Sequence, residues 1–323
     1  MNLKAFVTSA LLAATATAGA QSYPSKPITV VVPAPPGGIV DTLTRTMVEE
    51  MAKQMGQPLI VDNKPGASGV LAAQTVARAA PDGYTVLVTY STPILNAPYM
   101  FKKLPYDVKR DFSYVSQLYT GQLVLAVNSQ AVPAKNMREF VAWAEGNKGK
   151  VVYGSYGIGS SAHLIGAYLS QSKGLDMVHV PYKGEPPMLQ DLIGGQIAWA
   201  VGSASSLQPH LDSGKLRALA VLGDKPIKEL PKVPTMAQAG FPDVEYRTVG
   251  WIGMLAPAGL PAPIQARLEQ ESLAALQSTA MKARLQVAGM EPIGATGAQF
   301  RRDLEASLPV TEQLINVSGA KAE

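Results

Sequence analysis

Apolar residues fall in short unbroken runs that alternate with segments of helical spacing along most of the chain. PITVVVP, residues 27 to 33, is a continuous β-branched run, the pattern of a parallel strand covered on both faces. Leu43, Met47, Met51 and Met55 then recur every four residues and mark one face of a helix. PLIVDN (58 to 63) predicts a second strand. GASGVLAAQTVARAAPDG predicts a helix ended by Pro81 and Gly83, and YTVLVTY (84 to 90) a third strand. This is a β-α-β-α-β series, which implies a parallel open sheet.

A second series follows the same logic. QLVLAVN (122 to 128), KVVYGS (150 to 155), MVHVPY (177 to 182), QIAWAVG (196 to 202) and LRALAVLG (216 to 223) predict strands. NMREFVAWAEG (136 to 146) and SAHLIGAYLSQS (161 to 172) predict helices, with shorter helices between the later strands. After TVGWIGMLAP (248 to 257) the pattern predicts only helices and one short strand. Two such sheets facing one another form a cleft at the carboxyl ends of their strands, where open α/β sheets bind ligands.

Length and composition agree with this pattern. A chain of 323 residues exceeds one typical domain, and 47% hydrophobic with 16% charged residues implies packed cores. The first twenty residues change the picture more. Lys4 is followed by an apolar, small-residue run and then by Ala18-Gly19-Ala20, an A-x-A cleavage pattern. The expectation is an export signal, residues 1 to 20, cleaved near Ala20, and an exported mature chain. Losing Lys4 takes the formal net charge from +4 to +3. No other apolar run reaches the ~20 residues of a membrane span. The absence of cysteine excludes disulfides and thiolate chemistry. The basic excess is small and dispersed, so a nucleic-acid groove is not supported. No cofactor or metal is implied.

Two loops carry the candidate chemistry. VVPAPPGGIVDTL (31 to 43) runs from a strand through a Pro-Pro-Gly-Gly turn into a helix. Helix N-termini present free N–H groups and a partial positive charge, and Gly37 and Gly38 allow close approach of a ligand. The turn reads either as an anion site or as a tight corner. It has no Gly-Lys-Ser/Thr, so a nucleotide phosphate is disfavoured and a carboxylate fits better. Asp41, in the first helical turn, reads as an organiser of loop amides. YGSYGIGSSAHL (153 to 164) matches G-x-G-x-x-A through Gly157, Gly159 and Ala162, but the next strand, HVPYKG, carries no acid at its tip. Its alternative reading is a hydroxyl-rich anion pocket. His163 is either a donor to a carboxylate or a structural histidine. Lys183, just after a predicted strand, either draws in acids or is simply solvated. No nucleophile elbow, catalytic triad or placed acid pair is present.

Taken in order, YPSKPITVVVPAPPGGIVDTLTR, VDNKPGASGVLAAQTVARAAPDGYTVLV, YGSYGIGSSAHL, VPYKGEPPMLQDLIGGQI, GKLRALAV and WIGMLAPAGLPAPI resemble the periplasmic solute-binding receptors of tripartite tricarboxylate transporters, the Bug-type proteins. The resemblance covers nearly all of the mature chain. It implies a periplasmic-binding-protein-like α/β fold, a Venus flytrap of two α/β domains joined by crossing strands. Residues 21–121 plus 249–323 would form one domain and 122–248 the other. It also implies capture of a small organic carboxylate by a monomeric chain and delivery to integral-membrane transporter subunits.

Carried over, the ligand-binding residues expected are Gly37, Gly38 and Asp41 in the first lobe, and Ser155, Tyr156, Ser160, Ser161 and His163 in the second. Ser91, Thr92 and Ser203 follow strands and would reach the cleft. Arg247, at the second crossover, either clamps a distal carboxylate or lies on the surface. The family commonly has an aromatic where this chain has Ala34 and a hydroxyl residue where it has Val40. That difference implies a roomier, more apolar pocket suited to a larger acid, such as an aromatic carboxylate; the carboxylate expected from the resemblance is an aromatic or dicarboxylic acid. Tyr90, Tyr156, Tyr182, Trp199 and Trp251 would supply ring contacts or pack in the core. Two further readings stay open: a periplasmic sensor that passes its closed form to a signalling kinase, and an exported α/β enzyme using the GSYGIGSSAHL loop.

Overall fold

The computed structural model describes residues 23–247 and 249–321. The expected export signal lies outside the described residues. Two mixed α/β sheets organise the chain. The first contains β1 (Ile28–Val32), β2 (Leu59–Asn63), β3 (Thr85–Tyr90), β4 (Phe112–Gly121), β10 (Trp251–Pro257) and β11 (Met290–Thr296), in the order β11-β4-β10-β3-β1-β2. The second contains β5 (Leu123–Asn128), β6 (Val152–Ser155), β7 (Val178–Pro181), β8 (Trp199–Ser203) and β9 (Leu216–Val221), in the order β7-β6-β8-β5-β9. The chain passes from the first sheet to the second through Gln122 alone, and returns between Val221 and Trp251.

The β-branched run of β1 is parallel to β2 and β3, as its two-sided burial requires. Helix α1 (Ile39–Met55) buries Leu43, Met47, Met51 and Met55 against one face of the sheet, together with α8 (Ala262–Leu276) and α9 (Thr279–Ala288). Full burial of each such side chain contributes about 1.5–3 kcal/mol. The other face is covered by α2 (Val70–Ala77), a short α3 (Ala97–Met100) and the C-terminal α10 (Gly297–Ser318). The second sheet is sandwiched in the same way, by α4 (Met137–Gly146) and α5 (Ser161–Ser172) on one face and α6 (Glu185–Ile193) and α7 (Ala204–Asp212) on the other. A small apolar cluster bridges the lobes: Leu164 of α5 packs with Met100, Leu314 and Ile315.

Three local features differ from the sequence reading. The strand β4 carries no readable alternation, because its register with β10 shifts at two bulges and serine and glutamine occupy interior positions. Buried Ser116 is accommodated by a 2.8 Å hydrogen bond to the hydroxyl of Ser272. Helix α2 starts at Val70 rather than at Gly66, because Ser68 (φ 52°) and Gly69 (φ 88°) hold left-handed backbone in a preceding 3₁₀ turn. Third, β3 runs directly into a π-helical turn, Thr92–Asn96, continued by α3 despite Pro93 and Pro98. The last two features both bring polar side chains to the gap between the lobes.

Candidate functional site

A cavity of about 460 Å³ lies between the sheets. It opens where the helix after β1 and the loops after β3, β6 and β8 begin, at the carboxyl ends of these strands. From the first lobe come Val40, Ser68, Tyr90, Ser91, Thr92 and Asn96; from the second, Tyr156 to Ser161, Gly184, Glu185 and Ser203. The crossing segments close the back with Gly121, Leu123 and Gly250 to Ile252. A Cβ at Gly250 would stand 3.3 Å from the hydroxyl of Ser91 and 3.9 Å from that of Ser161. One hydroxyl from each lobe therefore converges on the same crossover glycine.

Among the residues singled out from the sequence, Ser91, Thr92, Tyr156, Ser160, Ser161 and Ser203 line this cavity. Ser160 also caps α5, its hydroxyl accepting from the His163 amide at 3.3 Å. The Tyr156 hydroxyl is pushed up to about 12, chiefly by burial, and stays a neutral donor.

The proline-glycine turn contributes differently. Gly37 adopts φ +81° and its amide donates to Asp41 Oδ2 at 2.8 Å, while the Gly38 amide donates to Pro35. Asp41 is buried and also accepts from Arg45 Nε at 3.0 Å and from Asn63 Nδ2 at 2.8 Å. Burial acts to raise its pKa, but these three donors and the Arg45 charge outweigh it and hold the carboxyl below its ordinary range. The amides of Gly37 and Gly38 are thus satisfied inside the turn, and Val40 is the residue of this segment that faces the cavity. Ala34 is buried in the first-lobe core, and its carbonyl accepts from Asn63 at 2.9 Å. Space at Ala34 is therefore taken up by core packing rather than added to the cavity.

Ser155 and His163 stand behind the β6–α5 loop. His163 Nδ1 accepts from the Gly159 amide at 3.1 Å, and its ring stacks on His179 at 3.9 Å between centroids. His179 Nε2 is 2.7 Å from the Ser155 hydroxyl. Burial, then the neighbouring His179, lowers the His163 pKa to about 4, so no charged imidazole is offered here at neutral pH. Arg247 is exposed, 3.5 Å from Asp224 and donating to the Pro242 carbonyl, and it lies outside the cavity wall. Lys183 is exposed and also outside that wall. Of the rings considered, Tyr90, Tyr156 and Trp251 line the cavity; Trp199 is fully buried in the second-lobe core, and Tyr182 donates to Asp191 at 2.7 Å.

Residues 43–319 match the Tripartite tricarboxylate transporter family receptor family. The chain belongs to it. BugT of Bordetella pertussis is 32% identical over 317 residues, spanning 98% of this chain and 96% of BugT. The solved structure of Rpa4515 of R. palustris with adipate is 30% identical, with a TM-score of 0.76 over 93% of this chain and 99% of that one. MatC of Rhodopseudomonas palustris with bound malate is 31% identical, with a TM-score of 0.72 over 91% of this chain and all of MatC (100%). The family is one of periplasmic solute receptors, not enzymes, and the two-lobed architecture is the periplasmic-binding-protein fold. The glycine pattern of the β6–α5 loop accordingly serves a receptor loop and not a dinucleotide or serine-enzyme site.

Sequence reasoning missed the contributions of Ser68, Asn96 and Glu185 to this cavity. Glu185 was the most readable of them, because it opens the helix that follows β7. Asn96 carried no signal, since a π-helical turn between two prolines has no sequence period of its own.

Proposed function

We propose that this chain is an extracytoplasmic receptor that holds one small organic carboxylate between its lobes and delivers it to the permease of a tripartite tricarboxylate transporter. The observation that carries this reading is the convergence of Ser91 and Thr92 from one lobe with Ser160 and Ser161 from the other on a cavity of about 460 Å³, a size typical of small-molecule sites. Hydroxyls and loop amides hold a carboxylate through direct or water-bridged hydrogen bonds without needing a cationic side chain. The binding of adipate and malate by relatives of similar length supports the same ligand class.

Residues 21–121 with 249–323 would move as one body and 122–248 as the other, after removal of the export signal near Ala20. A ligand touching both lobes stabilises the closed arrangement by its differential affinity.

A thermal-shift screen of the purified mature chain against mono-, di- and tricarboxylates tests the ligand class. A ligand at ~100 times its dissociation constant adds about 2.7 kcal/mol, a readily measured shift. Silence across aliphatic and aromatic acids, amino-substituted acids included, would remove the ligand class. Deleting the gene should abolish uptake of whichever acid binds; intact uptake with lost gene induction would instead favour a sensor.

A further inference from the structure

Among the described residues, the cavity wall contains one charged side chain, Glu185, and no lysine, arginine or histidine. Glu185 is fixed in place. Its Oε1 accepts from the Ser203 amide at 2.6 Å, and the Ser203 hydroxyl lies 3.0 and 2.9 Å from the two carboxylate oxygens. A Cβ at Gly202 would stand 2.9 Å from Oε1, so the close seating of the carboxylate depends on a glycine there. An ionised carboxylate accepts about four hydrogen bonds. Ser203 supplies at most one N–H and one O–H, and this hydroxyl is also 2.8 Å from Ser206. Acceptor capacity is therefore left over on a half-buried carboxylate beside the ligand space. Among the described residues, no lysine or arginine lies within ion-pair distance of it.

From this arrangement we infer that the natural ligand carries a single carboxylate at one end and a protonated amine at the other, with the amine facing Glu185. This rests on the carboxylate-receptor reading of the same cavity. A second carboxylate on the ligand would sit beside Glu185 with no cation between them, in a space from which the ligand displaces water. Like charges in such a setting repel strongly, whereas an ammonium fills the spare acceptor sites and cancels the fixed charge. The apolar wall of Val40, Leu123, Ile158, Trp251 and Ile252 suits the hydrocarbon joining the two ends. Glu185 is thus a specificity-determining residue that admits amino acids of this kind and rejects diacids of equal length.

Matched pairs test the inference by isothermal titration at neutral pH: 6-aminohexanoate against adipate, and 4-(aminomethyl)benzoate against terephthalate. Within each pair the chain or ring is the same and only the distal group changes. The amine-bearing member should bind wild type at least about tenfold more tightly, a difference of about 1.4 kcal/mol. Glu185→Gln keeps an oxygen acceptor for the Ser203 amide and removes the charge, so the ratio should fall towards one or reverse while the circular dichroism spectrum is retained. The inference is overturned if the diacid binds wild type as well as its partner, or if the ratio is unmoved in a folded Glu185→Gln. It is equally overturned if none of these compounds binds. A diacid or triacid that binds in the wider screen would then leave the carboxylate-receptor reading intact, and silence there as well would remove both.

Discussion

The carboxamide of Asn96, on the first lobe, donates to the backbone carbonyl of Gly159, on the second, at 3.0 Å. Asn96 is buried at the edge of the cavity, and Gly159 belongs to the loop that carries Ser160 and Ser161. This bond is a direct strut between the lobes beside the ligand space. The Leu164–Met100–Leu314 cluster ties them by apolar contact further out.

Asn96→Ala should therefore weaken lobe closure more than it weakens either lobe. A net hydrogen bond contributes about 0.5–1.5 kcal/mol, and leaving the Gly159 carbonyl unpaired adds to the cost. Ligand dissociation constants should rise by about two- to tenfold, with a larger radius of gyration for the unliganded protein in solution scattering. Unchanged affinity together with unchanged scattering would show that the strut does not contribute to closure.

Gly159 itself carries two constraints. Its φ is +75°, and a Cβ would stand 2.6 Å from Met100 Cε. Gly159→Ala should lose about 1–2 kcal/mol from the left-handed backbone and a further ~1–3 kcal/mol from overpacking. Met100→Ala removes only the second part. Chemical denaturation of both single variants and the double variant should therefore be non-additive, with Met100→Ala costing less in the Gly159→Ala background than in wild type. Simple additivity would mean that the methyl finds room elsewhere.

How much of this was legible beforehand follows the physics of each element. Where burial is uniform and the period is kept, as in β1 with its Val30-Val31-Val32 run and in the four-residue spacing of α1, the hydrophobic pattern locates the element closely. Where bulges break the period, as along β4, a ten-residue strand leaves no readable trace. The site divides in the same way. Ser91 and Thr92 could be expected at the cleft because they follow a recognisable strand, and Ser160 and Ser161 because they lie in a hydroxyl-rich loop at a helix N-terminus that the family resemblance also marks. For Gly37 and Gly38 the sequence leaves two readings, an anion site that needs free amides and a tight corner. Whether those amides are free was decided by Asp41 and by a proline carbonyl three residues earlier, a competition that residue types alone do not express. Ser68 and Asn96 reach the cavity through left-handed and π-helical backbone, conformations that pattern reasoning does not anticipate.

The stacked histidines predict a loss of stability in mild acid. The His163 pKa is depressed from 6.5 to about 4, by burial first and then by His179, while His179 is lowered by burial. The folded state therefore binds fewer protons than the unfolded chain across this window. Stability contributed by the neutral rings is present above about pH 6.5 and is lost progressively as pH falls towards 4. Protonation at Nδ1 would also break the bond from the Gly159 amide. The thermal midpoint should fall over that range. His163→Asn, which keeps an acceptor but does not titrate, should flatten part of the slope and leave the remainder to His179. An equal slope in wild type and variant would exclude His163 as a source.

Asp41 governs a separate and more acidic window. Its pKa is lowered despite burial because Arg45, Asn63 and the Gly37 amide all donate to the charged form. The stability it contributes is fully present above its unfolded value of 3.8 and is lost as pH falls through the depressed folded value. Asp41→Asn places an amide donor against donors and should cost about 1–3 kcal/mol at neutral pH, with the stability change below pH ~4 correspondingly reduced. The variant should also bind ligand less well although Asp41 lies outside the cavity wall, because the turn positions Val40 on that wall. Urea denaturation at pH 7 and pH 3 separates this effect from the histidine window. An Asp41→Asn chain that loses as much stability on acidification below pH 4 as wild type would show that the acid response of this lobe originates in other carboxylates.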